Sequence, residues 1–245
     1  MLSFIIPAYN EEFELPSTIA AIQDAVRDRQ YEIIVVDDAS TDATSQIAKD
    51  AGARVVPINR RQIAAARNAG ARISAGDILF FVDADTRIKA KHIDGAIAAL
   101  AAGCSGGGAR IAIHGFIPWW GRIFLKIFCA LYFANNLGAG AFLFTSRKNY
   151  EAVGGLDERY FAGEEVFFSL ALKKLGRFKI LREPIITSGR KLRMHSGWHI
   201  WWRSTRMMLG GLRSYRSRDR LDLWYDGKRE TSPPVGRTSP AARST

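Results

Sequence analysis

Ile78-Leu79-Phe80-Phe81-Val82-Asp83-Ala84-Asp85 is the stretch on which the fold turns. Five apolar residues run together with no polar alternation, the pattern of a strand buried on both faces, typical of a parallel sheet covered by helices. The run stops at two carboxylates one residue apart. Two acids at the mouth of a buried strand are costly unless a cation meets them. A hard divalent ion carrying a diphosphate suits that arrangement. Asp is also common wherever strands end in turns, so the pair takes its meaning from what precedes it.

Three further apolar runs come before it: Leu2–Ile6, Glu32–Val36 and Arg54–Ile58. Helical stretches separate them at Leu15–Arg29, Asp42–Ala51 and Arg61–Ser74, and another follows at Ala90–Ala102. Asp42 has the chemistry of an N-cap, and Gly52 and Gly76 that of residues just past a helix end. This alternation predicts one doubly wound α/β half. The second part is less regular. Gly106–Ile113 and Gly140–Thr145 read as strands, and Ile180–Thr187 as an extended segment around Pro184. Helices are expected at Trp119–Ala134, at Glu164–Leu175 with Gly176 ending it, and from Gly197 to Tyr215. Beyond Asp226 the chain is rich in Pro, Ser, Thr and Arg, a composition that predicts a disordered tail.

With 245 residues, 47% of them hydrophobic, the chain can bury the core of one sizeable domain. Cys104 and Cys129 lie in different segments, which argues against a disulfide framework and suits a reducing compartment. Strand-like residues follow Met1 at once, leaving no room for a signal peptide. The formal charge of +11 is uneven: positions 190, 191, 193, 203, 206, 213, 216, 218 and 220 are Lys or Arg against the single acid Asp219. Trp198, Trp201 and Trp202 lie in the same stretch. Basic plus aromatic suits nucleic acid, an anionic membrane surface or a phosphorylated substrate.

In a doubly wound sheet, ligands bind at the carboxyl ends of the strands. Three clusters fall there: Asn10-Glu11-Glu12, Asp37-Asp38 and Asp83-Ala84-Asp85. No Gly-x-Gly-x-x-Gly follows the first strand and no Gly-Lys-Ser/Thr occurs, so dinucleotide and P-loop readings fail.

Ile5-Ile6-Pro7-Ala8-Tyr9-Asn10-Glu11-Glu12 and Val35-Val36-Asp37-Asp38-Ala39-Ser40-Thr41-Asp42-Ala43-Thr44 resemble the opening of the family 2 glycosyltransferases. Ala65-Ala66-Arg67-Asn68-Ala69-Gly70 and Gly76–Asp85 continue the pattern in order. Gly138-Ala139-Gly140-Ala141-Phe142, Gly154-Gly155-Leu156-Asp157 and Gly163-Glu164-Glu165 match its later blocks. The resemblance spans about residues 2 to 190. It implies an α/β fold: a single GT-A-type domain with a mostly parallel central sheet flanked by helices, a smaller acceptor-side region and a disordered C-terminal tail. Residues 1–225 would form the domain, with a nucleotide-binding half at 1–103, an acceptor-side half at 104–225 and the tail at 226–245.

The roles follow position by position. Pro7, Tyr9 and Glu11 would line the nucleoside pocket, Glu11 near the ribose. Asp38 would bond the base or ribose, and Asp37 would support its loop. Arg67 would face the nucleotide or its phosphates, or else be a solvated helix charge. Asp83 would face ribose or metal, and Asp85 would ligate Mg²⁺ or Mn²⁺. His195 would close over metal or diphosphate, or else sit on the surface. The cations of Gly189-Arg190-Lys191-Leu192-Arg193 would neutralise phosphate charge or form a solvated loop.

The implied reaction moves a sugar from a nucleotide-diphospho-sugar to an acceptor hydroxyl, with inversion and with metal. A carboxylate removes the hydroxyl proton. The family usually supplies it from a Glu-Asp pair at a helix start. Here the pair is Glu164-Glu165, longer by one methylene, and Glu165 is preferred over Glu164 as the base.

Phe116–Leu137 is interrupted by Arg122, Lys126 and Asn135-Asn136, so it does not read as a spanning helix. It and Gly197–Tyr215 either lie on a membrane face or pack over the acceptor side. A cytoplasmic enzyme touching the inner face of the membrane, with a lipid-linked or saccharide acceptor, fits this reading. A nucleotidyltransferase would need a glycine-rich loop after the first strand, which Ala8–Glu12 does not offer. A nucleic-acid-binding protein would use the basic stretch but leaves the acidic rim unexplained, so no specific nucleic-acid partner is expected.

Overall fold

The computed structural model describes residues 1–26, 28–114, 120, 121, 133 and 135–188. Strands β1 (Leu2–Ala8), β2 (Tyr31–Asp38), β3 (Arg54–Ile58) and β4 (Ile78–Val82) alternate with helices α1 (Leu15–Val26), α2 (Thr44–Asp50) and α3 (Ile63–Ile73). Then come β5 (Thr86–Arg87), α4 (Ala90–Ala101), β6 (Cys104–His114), β7 (Phe142–Ser146), α5 (Arg147–Ala152), α6 (Glu164–Leu175) and β8 (Arg177–Ser188). The expected helices at Trp119–Ala134 and Gly197–Tyr215, and the tail beyond Asp226, lie largely or wholly outside the described residues.

One eight-stranded sheet holds the strands of the described residues in the order β3-β2-β1-β4-β7-β6-β8-β5. The expectation of a mostly parallel sheet needs correction. β3, β2, β1 and β4 are mutually parallel, but β7 enters antiparallel to both β4 and β6, and β5 is antiparallel to β8. The sheet is mixed. A buried antiparallel strand such as Phe142–Ser146 is as continuously apolar as a parallel one, so hydropathy does not reveal its direction.

The two-residue period of the strands divides the core. Phe4 and Ile6 of β1, with Phe80 and Val82 of β4, face α1, α2 and α4. Ile5, Leu79 and Phe81 face the layer of α3, α5 and α6, where Ala66, Tyr150 and Phe168 pack. Rings lock both layers: Phe4 stacks on Phe80 with centroids 4.8 Å apart, and Phe81 meets Phe168 edge-on at 6.0 Å. This parity decides the site, because Ala84 continues the first layer and is buried. Asp83 continues the parity of Leu79 and Phe81, on the side of α3 and α6.

Asp42 is not the N-cap expected: the helix begins at Thr44 with Ala43 as its N-cap, and Asp42 Oδ1 accepts the Thr44 N–H at 3.0 Å from one residue further back. Gly52 (φ +78°) ends α2: its N–H reaches Lys49 O and the Ala53 N–H reaches Ala48 O. Gly76 does not play that role, since Ser74 caps α3. It is small because a Cβ there would stand 2.4 Å from Ser3 Oγ, which accepts its N–H. Pro184 is accommodated where the β6–β8 register shifts, between the pairs Ala109↔Leu181 and Arg110↔Pro184. The short elements α5 and β5 were not expected from sequence. Ser146 caps α5 by accepting the Asn149 N–H at 3.2 Å.

Gly70 tests how closely α3 sits on the sheet. A Cβ there would lie 2.5 Å from Ile5 Cγ2, a branch with little freedom to retreat. Gly→Ala inside a helix gains roughly 1 kcal/mol in propensity. Overpacking costs roughly 1–3 kcal/mol. Gly70→Ala should therefore lower stability in a urea melt; a raised midpoint would mean that α3 rides higher than described.

Candidate functional site

Three parallel strands reach the same rim, and each exit is strained. Asn10 after β1 (φ 51°), Ala39 after β2 (φ 62°) and Arg61 after β3 (φ 49°) adopt left-handed backbone without being glycine. Such residues persist only where surrounding contacts hold them. Here the Asn10 N–H donates to Ser40 Oγ at 3.0 Å, and its Oδ1 accepts the Thr41 N–H at 2.8 Å. Asp37 Oδ1 accepts the Ser40 N–H at 2.9 Å, the loop support expected of it.

Asp38, the acid expected to bond a base or ribose, holds the loop that enters α3. Its Oδ1 accepts the Arg60 and Arg61 N–H groups at 2.7 Å each, and Oδ2 accepts that of Gln62 at 2.8 Å. The carboxylate clasps the loop entering α3. Pro7 lies in β1 opposite Val36, beyond the last β1–β4 pair at Ile5↔Phe81. Tyr9 follows, with the Arg61 guanidinium 3.2 Å over its ring. Glu11 is buried, its N–H donating to Thr44 Oγ1 at 2.8 Å.

Arg67 is the centre of the arrangement. It sits on α3 among Ala64, Ala65, Ala66, Ala69 and Ala71 and is only 1% exposed, so it is not the solvated helix charge that the sequence also allowed. Nη1 donates to Glu164 Oε1 at 2.8 Å, and Nη2 to Asp83 Oδ1 at 2.8 Å and Gly140 O at 2.9 Å. Gly140 is required small, because a Cβ would stand 3.0 Å from Nη2. One guanidinium thus ties the strand-end acids of β4 to the helix-start acids of α6 and to the turn before β7. Asp85 takes a different neighbour, accepting from Thr187 Oγ1 of β8 at 3.2 Å.

The electrostatics follow from burial. Desolvation works against the charge of Arg67, but Asp83, Glu164 and Glu165 outweigh it and hold the guanidinium protonated above its usual range. Burial pushes Glu164 up, and Arg67 opposes the shift. Glu165, partly open to solvent, is pushed up to about 8, first by desolvation and then by the neighbouring Glu164, with Arg67 again opposing. Both acids occupy the first turn of α6, where the helix N-terminus favours negative charge. Gly163 (φ 70°) makes the tight entry.

Asn68, Gln62 and Arg61 were given no role in the sequence reading. Asn68 Oδ1 accepts the Tyr150 hydroxyl at 2.8 Å and the Leu156 N–H at 3.0 Å, while Nδ2 donates to Leu156 O and Glu158 Oε1. Gln62 Nε2 donates to Glu158 O at 2.5 Å. Together they fix the loop that carries Gly155, where a Cβ would meet Tyr150 Oη at 2.7 Å. A signal was available: Ala64, Ala65, Ala66, Ala69, Gly70 and Ala71 surround Arg67 and Asn68 with small residues, which implies close packing that a solvated Arg or Asn would not need.

Among the described residues no three His, Cys, Asp or Glu side chains gather into a ready-made metal cage. A hard ion that brings phosphate oxygens with it needs only one or two carboxylates, and Asp83 and Asp85 offer oxygen donors of that kind. The residues fit such an ion. His195 lies outside the described residues. No helix among the described residues is long and apolar enough to cross a membrane.

The family model described as glycosyl transferase family 2 matches residues 3–146. The 4,4'-diaponeurosporenoate glycosyltransferase of Staphylococcus haemolyticus is 35% identical over 98 residues, 37% of this chain and 26% of that protein. The undecaprenyl-phosphate 4-deoxy-4-formamido-L-arabinose transferase of Aeromonas hydrophila is 34% identical over 95 residues, 35% of this chain and 29% of that protein. The chain therefore aligns with little more than a quarter of either relative's length. Among solved structures, a mannosyltransferase from Pyrobaculum calidifontis in complex with GDP-Man and Mn²⁺ superposes with a TM-score of 0.66 at 18% identity, over 92% of this chain and 68% of that one. That likeness is one of fold. The family match takes in the segment from β1 to β7, with Tyr9, Asp38, Arg67, Asp83 and Asp85 inside it, and on that ground the chain belongs to glycosyl transferase family 2.

Proposed function

We propose that this protein transfers a sugar from a nucleotide-diphospho-sugar to an acceptor hydroxyl, with inversion at the anomeric carbon. The observation that supports the reading is the Asp83–Arg67–Glu164 bridge: one guanidinium joins the acid after β4, which we assign to the donor, and the acid at the start of α6, which we assign to the acceptor side. In this reading the nucleoside lies over Pro7, Tyr9 and Glu11, and the diphosphate lies against Asp83 and Asp85. A divalent ion, Mg²⁺ or Mn²⁺, held by Asp85 with Asp83 beside it, would neutralise the departing diphosphate. The complex of the Pyrobaculum mannosyltransferase with GDP-Man and Mn²⁺ supports that choice of partners. The undecaprenyl phosphate in the Aeromonas relative's name supports a lipid-linked acceptor.

The base is assigned by what holds each acid. Glu164 is buried to 4% exposure and bound by Arg67, whereas Glu165 is partly exposed at the same helix start. Glu165 takes the proton from the acceptor hydroxyl while that oxygen attacks the anomeric carbon. The bond from that carbon to the phosphate oxygen breaks, and the nucleoside diphosphate leaves. An oxocarbenium-like transition state of this kind gains from nearby carboxylate charge. Arg67 holds Asp83 and Glu164 in place, and so keeps the two halves of the site in register.

Donor binding can be read without turnover. UDP-glucose, UDP-GlcNAc and GDP-mannose should be screened by thermal shift with and without Mn²⁺. At least one should raise the melting temperature only with the ion, and Asp85→Ala should remove most of the rise. No shift with any donor would contradict the reading.

The base makes a separate prediction. A group pushed up to about 8 is mostly protonated at neutral pH and acts as a base only when deprotonated. In the kcat/KM profile, activity should rise with pH through an apparent pKa near 8, with the two adjacent acids titrating as a pair. Glu165→Gln should keep the donor-induced thermal shift and lose roughly 10²–10⁴-fold in turnover. Unchanged turnover would move the base elsewhere.

A further inference from the structure

We infer that Thr187, near the end of β8, is a positioning residue: its hydroxyl sets the orientation in which the Asp85 carboxylate meets a divalent ion. The inference rests on the donor reading above. Asp83-Ala84-Asp85 leaves the sheet as a turn, closed by the Thr86 N–H on Asp83 O at 3.0 Å. Each of its three residues is held by a different element. Asp83 Oδ1 accepts from Arg67 of α3 at 2.8 Å. Ala84 O accepts the hydroxyl of Thr18, a buried residue of α1, at 2.7 Å. Asp85 Oδ1 accepts the Thr187 hydroxyl of β8 at 3.2 Å. The contact with Thr18 fixes the backbone of the turn, whereas that with Thr187 acts on the Asp85 side chain itself.

The short strand β5 is what brings the two together. It is only Thr86–Arg87, against roughly five residues in an ordinary strand, and it pairs Thr86 with Thr187 and Arg87 with Ile186. Arg87 also donates to Glu14, a buried residue just before α1, at 2.9 Å, so β5 is tied on both sides. Thr86 is fully buried, and its hydroxyl reaches Thr187 Oγ1 at 3.4 Å, a long contact that still has a direction. A carboxylate that ligates a metal is deprotonated and offers acceptors alone. The single hydroxyl proton of Thr187 therefore goes to Asp85, and its lone pairs are turned to the Thr86 hydroxyl. Mg²⁺ and ions like it hold closely to one geometry and take one or two carboxylates beside phosphate oxygens. With so few protein ligands, the partner that stops one of them from rotating governs how well the ion is held.

Titration of the intact chain with Mn²⁺ tests this, with free Mn²⁺ read from its electron paramagnetic resonance signal. UDP and, separately, GDP are present, each against a blank of nucleotide alone. Thr187→Val keeps the branched shape that suits a strand and removes the hydroxyl. It should raise the Mn²⁺ concentration at half-saturation roughly tenfold, the lower end of what losing such a partner costs. Its melting temperature without the ion should stay that of the wild type. Thr187→Ser, which restores the donor, should recover most of the affinity. Thr86→Val leaves the bond from Thr187 to Asp85 in place and should lose less than Thr187→Val. Unchanged Mn²⁺ affinity in Thr187→Val would overturn the assignment. So would a loss that Thr187→Ser does not recover, which would make Thr187 a residue of strand pairing. If the wild type takes up no Mn²⁺ beyond the blank with either nucleotide, the donor reading itself fails, and the assignment with it.

Discussion

A guanidinium sealed from water needs anionic partners, and at Arg67 this requirement organises the molecule around it. Removing an Arg from solvent costs several kcal/mol unless good geometry and full hydrogen bonding offset it. Asp83, Glu164 and Gly140 O supply three contacts of 2.8–2.9 Å to Nη1 and Nη2, while the buried Nε has no partner among the described residues. These partners come from β4, the start of α6 and the turn before β7, segments far apart in sequence. Their positions are therefore not independent. The period-two parity of β4 sends Asp83 to the α3–α6 side, the Ala and Gly surface of α3 lets Arg67 approach, and Gly140 leaves room for Nη2. If the charge is lost, buried Glu164 is left without its counter-ion.

The same logic runs along the rim at lower stakes. Asp38 gathers three backbone amides and so fixes the entry to α3, just as Asp37 and Asn10 fix the turns beside it. Acids that look alike in sequence divide, in three dimensions, by what they hold. Asp37 and Asp38 hold backbone amides of the rim, Asp85 accepts from Thr187 Oγ1, and Asp83 has one oxygen on Arg67 with its side chain 37% exposed.

Much of this was legible in the sequence. The bounds of β3, β4 and α6 follow directly from apolar runs and bracketing glycines, because strong patterns with clear stops leave little choice. The family pattern singled out Asp83 and Glu164, which the structure brings together on Arg67. What was not legible depends on pairing between distant segments. The direction of β7 leaves no trace in its composition, and neither does the β6–β8 register shift around Pro184. Arg67 was found as a type of residue, but its burial was not, although five alanines around it were a hint. The bonds of Asp38 to the loop at 60–62 were not legible either, because a strand-end acid offers the same chemistry to a base as to a backbone amide.

The central claim is that Arg67 and Glu164 form one energetic unit joining the two sides of the site. A double-mutant cycle in urea with Arg67→Met, Glu164→Gln and the double variant measures it directly. Arg67→Met alone should cost roughly 3–5 kcal/mol, because it strands a buried acid. The double variant should be more stable than the sum of the two single losses by roughly 1–3 kcal/mol. Additivity within about 0.5 kcal/mol would mean that the two residues do not act together, and would contradict the account.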